Sequence, residues 1–118
     1  MLQSLTPMLR TKQINETIHF YVRVLGFTCE HFSEEWGWAS LKKDYVQLMI
    51  ATENIHIPFE QCSFTGSLYF NTTDALALWE QLKDKANICY APEDFEYGMR
   101  EFAIFDNNGY LLQFGENI

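Results

Sequence analysis

The chain has 118 residues, 47% of them hydrophobic and 16% aromatic, and a formal net charge of −8. That length fits one domain that buries roughly two-thirds of its extended surface, and a composition so rich in packing groups excludes intrinsic disorder. The acidic balance excludes general affinity for a nucleic-acid backbone, which requires Lys and Arg, and is compatible with a cationic partner.

In chain order, residues 5–11 read as a first strand, with Pro7 tolerable near its start or edge. Residues 14–25 read as a helix, because Ile14, Ile18, Tyr21, Val22 and Leu25 recur at helical spacing, and Gly26 is placed to end it. Residues 27–32, 36–41 and 45–51 read as strands, the last two joined by the polar turn Lys42-Lys43-Asp44. Residues 53–64 contain Pro58, lack periodicity and read as a linker. A strand follows over 66–71, then a helix to about Lys85 capped by Thr72 or Thr73, with Leu76, Leu78, Trp79 and Leu82 as its apolar face. Short strands near 88–90 and over 99–105, and a last one over 110–114 after the turn Asp106-Asn107-Asn108-Gly109, complete the pass.

Both halves therefore read as β-α-β-β-β, and the spacing of Asn15 to Phe20-Tyr21 returns in Thr73 to Leu78-Trp79. The expectation is an internally doubled α+β domain spanning 1–118: module 1 about 1–52, a linker about 53–64, and module 2 about 65–118. Charge is uneven across it. Residues 1–64 hold five basic and seven acidic side chains, and residues 65–118 hold three and nine.

Cys29, Cys62 and Cys89 form no CxxC pair, the first residues lack a basic and then apolar leader, and no run of about 18 apolar residues occurs. These features read as a reduced, cytoplasmic protein with no membrane partner.

Two stretches carry a resemblance to a known family. His19-Phe20-Tyr21-Val22-Arg23-Val24-Leu25-Gly26-Phe27 resembles the "FY…vLGF" signature of the vicinal oxygen chelate superfamily, which includes glyoxalase I, ring-cleaving dioxygenases and bleomycin resistance proteins. The segment from Asp106 to Gln113 resembles that superfamily's turn and final strand. The resemblance implies two βαβββ modules forming curved four-stranded sheets, with helices on the convex side and cups completed by dimerisation. It also implies four ligand positions for a metal on the concave faces. These fall on Thr6, Met49, Ser67 and Gln113. That set lacks imidazole, thiolate and carboxylate, so it is a degenerate site, and no metal or other cofactor is expected. His19, His31 and His56 show no paired ligand spacing.

Glu96-Tyr97-Gly98-Met99-Arg100-Glu101-Phe102 further resembles the "W-G-M-R-E-F" stretch of bleomycin resistance proteins, with Tyr97 in place of Trp. The function this implies is that of a metal-free homodimer sequestering a planar, cationic, bleomycin-like small molecule at its interface. The alternative is a metal-dependent glyoxalase, dioxygenase or transferase-type enzyme of the same superfamily. Stacking and cation–π contacts would need aromatic rings beside acid. The candidate ligand-binding residues are Phe32, Trp36, Trp38, Met49, Phe59, Tyr69, Tyr97, Met99, Glu101 and Gln113, with Trp36 and Trp38 expected on one face of one strand.

Overall fold

The computed structural model describes all residues, Met1–Ile118. They form two compact units, residues 1–62 and 63–118.

The first unit contains β1 (Met8–Arg10), α1 (Ile14–His19), a π-helical turn (Phe20–Val24), β2 (Thr28–Ser33), β3 (Trp38–Lys43) and β4 (Val46–Ala51). The strands lie in the order β1-β4-β3-β2, with β1 parallel to β4 and the rest antiparallel. The expected first strand, 5–11, shortens to three residues, although Pro7 still accepts a ladder bond from Met49 N–H at 2.9 Å. The Gln13 side chain does not cap α1. Thr11 Oγ1 instead accepts from Gln13 N–H at 3.0 Å, and Thr17 Oγ1 donates back to Gln13 O at 2.9 Å.

The expected helix over 14–25 is continuous but not α-helical throughout. In its second half Leu25 N–H reaches Phe20 O, five residues back, at 3.3 Å. Gly26 (φ +80°) ends it as expected, and Lys43 Nζ caps the Leu25 carbonyl at 2.8 Å. The expected turn 42–44 narrows to Asp44-Tyr45: β3 runs through Lys43, β4 begins at Val46, and Asp44 takes the positive φ of 52°. Leu9, Ala39, Leu41, Leu48 and Ile50 share one sheet face, and all are buried with Tyr21, Leu25 and Phe27. Burying each large side chain contributes about 1.5–3 kcal/mol.

The second unit contains β5 (Leu68–Asn71), α2 (Ala75–Leu82), β6 (Asn87–Phe95), β7 (Met99–Phe105) and β8 (Leu111–Asn117), with strand order β5-β8-β7-β6 and β5 parallel to β8. Asp74, rather than either threonine, caps α2. Its carboxylate accepts from Ala77 N–H at 3.0 Å, while Thr72 Oγ1 accepts from Asp74 N–H. The inward residues of α2 are Ala75 and Leu82, with Leu78 and Trp79 half-buried; Leu76 is exposed, so the expected apolar face is rotated. Trp79 packs edge-on against Phe102, which stacks on Phe114, which stacks on Phe70. This aromatic ladder lies on the helix-facing side together with Ile104 and Leu112.

The short strand expected near 88–90 is in fact nine residues long and passes through Pro92. A proline inside a strand is tolerable here because β6 is an edge, and the register shifts between Tyr90 and Glu93. The architecture is the α+β pattern of two four-stranded mixed sheets with few helices. No helix is long and apolar enough to cross a membrane.

Candidate functional site

Register decides which side chains meet. In the second unit, Phe102 and Phe114 face α2, so their neighbours along each strand face away from it. Tyr69 pairs with Gln113, Gln113 with Ala103, Glu101 with Gly115, Tyr90 with Ala103, and Phe95 with Met99. All of these lie on the helix-free face. The β7–β8 turn fixes that register: the Asp106 carboxylate accepts from Asn108 and Tyr110 N–H at 2.8 and 3.0 Å, and Gly109 supplies the φ of +95°.

Glu101 is the centre of this face. It is only 4% exposed. Tyr97 Oη donates to its Oε1 at 2.7 Å, and Tyr69 Oη donates to Oε2. Tyr69 reaches it only because residue 115 is glycine; a Cβ there would lie 1.9 Å from the phenol oxygen. The effect on the phenols follows. The hydrogen bond to Glu101, with desolvation and its charge, pushes Tyr97 up to about 12. Burial, then the bond to Glu101, pushes Tyr69 well above the usual phenol range. Tyr90 is raised by burial, against a lowering bond from Gln113.

No basic side chain contacts Glu101. Arg100 points to the opposite face in a two-bond pair with Asp94, at 2.7 and 3.1 Å, which lowers the Asp94 carboxyl, and Lys83 pairs with Glu80. Around the carboxylate stand rings. Tyr97 stacks on Phe95 with centroids 5.3 Å apart and planes 9° from parallel, and Tyr90 meets Phe95 edge-on.

Beside this cluster a second network runs Ser67–Gln113–Tyr90. Ser67 Oγ donates to Gln113 Oε1 at 2.6 Å, and Gln113 Nε2 donates to Tyr90 Oη at 3.0 Å. The amide is thus engaged on both ends. In the first unit, Trp38 Nε1 donates to Met49 Sδ at 3.2 Å on the face away from the buried aliphatic cluster. The four degenerate positions therefore do not fit a divalent metal. Ser67 and Gln113 bond each other, Met49 takes the indole, Thr6 precedes β1, and no three His, Cys, Asp or Glu side chains converge anywhere.

Of the residues singled out from the sequence, Tyr69, Tyr97, Met99, Glu101 and Gln113 share this part of the second unit, and Trp38 and Met49 touch in the first. Trp36 is not on a strand beside Trp38; it sits in the β2–β3 turn, 79% exposed. Phe32 pairs with Ala39, on the sheet face opposite Trp38. Phe59 lies in the loop after β4, its N–H bonded to Glu53. Sequence reasoning missed Tyr90, Phe95 and Gly115. Tyr90 lies at the end of the short strand expected near 88–90, and Phe95 lies beyond that strand, past Pro92 and a register shift that breaks the alternation.

Two mixed four-stranded sheets, each with strand order 1-4-3-2 and a helix after its first strand, define the glyoxalase-like fold. The profile of the Glyoxalase/Bleomycin resistance protein/Dioxygenase superfamily matches residues 4–114, and the chain belongs to that superfamily. No curated protein matches the sequence.

Several solved structures share the fold. A glyoxalase/bleomycin resistance protein/dioxygenase from Nocardioides aligns with TM-score 0.81 at 17% identity, over 100% of this chain and 85% of that one. A bleomycin-binding protein complexed with bleomycin aligns with TM-score 0.77 at 24% identity, over 99% and 100%. The bleomycin-binding protein of bleomycin-producing Streptomyces verticillus, complexed with copper(II)-bleomycin, aligns with TM-score 0.71 at 23% identity, over 97% of each chain.

Proposed function

We propose that the protein binds and sequesters, without altering it, a planar cationic small molecule: an antibiotic or metabolite that is bleomycin-like in joining flat heteroaromatic rings to a positive tail. The observation that carries this reading is Glu101, a buried carboxylate held only by phenols, among stacked rings, in a unit with nine acidic and three basic residues. A buried charge without a counter-charge is costly, and a ligand cation offsets that cost. The surrounding acid raises the local concentration of cations. Two proteins of the same fold solved with bleomycin or its copper(II) form support the choice of ligand class.

The proposed contacts are Tyr69, Tyr97, Met99 and Gln113 in the second unit, with Glu101 behind the phenols as the anion that draws the cation. The protein acts as a cytoplasmic homodimer with its ligand grooves at the dimer interface, in the manner of resistance by sequestration.

Calorimetric titration with bleomycin, followed by mass spectrometry of the released ligand, tests this. Saturable binding with an unchanged ligand mass is expected. Glu101→Gln weakens it, and Arg100→Ala, on the opposite face, does not. A ligand at a hundred times its Kd stabilises the fold by about 2.7 kcal/mol. Absence of heat and of a thermal shift near 1 mM bleomycin, or recovery of a modified product, refutes the reading.

A further inference from the structure

The Glu101 cluster also specifies which kind of cation it takes, an inference that rests on the sequestration reading above. The carboxylate does not face a ligand directly. It is 4% exposed, and each of its oxygens already accepts a phenol. What lies open is ring: Tyr97 is 66% exposed and Tyr69 39%, with Phe95 stacked behind Tyr97.

A primary ammonium carries three donors and a tight hydration shell, so it binds well only where several acceptors replace water. Here the strongest acceptors are buried behind the phenols, out of reach of an ammonium that needs several of them at once. A quaternary ammonium donates no hydrogen bond and sheds water easily. It gains from the negative faces of rings and from an anion a few ångströms behind them. The arrangement strengthens those faces as well, because a phenol that donates to a carboxylate is polarised toward phenolate, and hydrogen-bonded groups in a dry site polarise one another.

We propose that Tyr69, Tyr90, Phe95 and Tyr97, backed by Glu101, form a cation–π subsite. It selects weakly hydrated, permanently charged groups, that is, quaternary ammonium or N-alkylated heteroaromatic cations, over primary ammonium groups. Glu101 is then a positioning and polarising residue that acts through the phenols, and the rings touch the ligand. The Ser67–Gln113–Tyr90 network holds the Tyr90 ring at the edge of the box.

The test uses the full chain and three probes of one shape: naphthylmethyl-trimethylammonium, naphthylmethylammonium and neutral naphthylmethanol, titrated by calorimetry at low salt. The quaternary probe should bind roughly tenfold tighter than the primary amine. Glu101→Gln should narrow that ratio and leave the neutral probe unchanged. Because a buried substitution risks the fold, the exposed Tyr97 provides the second variant. Tyr97→Leu should remove most of the preference, and Tyr97→Phe, which keeps the ring and loses the bond to Glu101, should fall between.

A primary amine that binds as tightly as the quaternary probe overturns the proposal, as does a ratio that neither Tyr97→Leu nor Glu101→Gln changes. If bleomycin binds while the probe ratio is flat, only this inference falls. If neither bleomycin nor any probe binds, the sequestration reading falls with it.

Discussion

Replacing Gly115 by alanine isolates the contact on which the Glu101 cluster depends. The residue lies on β8 opposite Glu101 and has no left-handed φ, so alanine is acceptable to the backbone. Its Cβ would meet Tyr69 Oη at 1.9 Å and Cζ at 2.6 Å. The obstructing atoms are the far end of one side chain, so the phenol swings aside and releases Glu101. A hydrogen bond to a charged group contributes about 1.5–3 kcal/mol, and the partial exposure of Tyr69 places this one at the lower end. Against that, Gly→Ala stabilises by about 0.4–1 kcal/mol through the unfolded chain. The net expectation is a loss of about 1 kcal/mol. In a Tyr69→Ala background the atoms that would meet the new methyl most closely are gone, and the same substitution should become neutral or stabilising. Urea unfolding of the four proteins, with unchanged m, reads the coupling. Equal destabilisation by Gly115→Ala in both backgrounds would refute the reasoning.

Other consequences follow from the same packing. Tyr97 is raised from its ordinary 10 to about 12, so its contribution to stability is fully present below pH 10 and is lost as pH rises from 10 through about 12, because the unfolded chain releases the proton first. Ultraviolet phenolate titration should show Tyr97 ionising earlier in Glu101→Gln, and an unchanged titration would contradict the assigned bond. Phe102→Ala removes the middle ring of the Trp79–Phe102–Phe114 ladder and should cost about 3–5 kcal/mol in chemical denaturation. Asp74→Ala should cost about 0.5–2 kcal/mol, whereas Thr73→Ala should cost less, which a thermal melt of each distinguishes.

Much of the fold was legible because its signals are local. The spacing Ile14 to Leu25, the positive-φ Gly26 and the alternation in β4, β7 and β8 each reflect a period that one sequence displays. The errors came where tertiary context overrides such signals. The strand expected near 88–90 runs on through Pro92, which its place on an edge with a shifted register permits. Thr72, Thr73 and Asp74 are all N-cap residue types, and the position of α2 against β7 and β8 starts the helix after Asp74.

Site residues divide the same way. Glu101, Tyr97 and Met99 lie close together in sequence and were found together. Tyr69 reaches Glu101 across β8, and the enabling feature is the missing side chain of Gly115, which only register reveals. Parity puts Trp36 and Trp38 on one face, and parity fails once the chain leaves the strand for a turn.

The central claim is that the helix-free face of the second unit binds a planar cation through its tyrosine rings. Tyrosine-ring NMR of labelled protein titrated with bleomycin tests it most directly, with resonances assigned by single Tyr→Phe substitutions. The ring signals of Tyr69, Tyr90 and Tyr97 should shift together and saturate at one ligand concentration, while those of the buried Tyr21 and Tyr110 stay in place. Shifts absent from Tyr69, Tyr90 and Tyr97, whether or not others move, would contradict it.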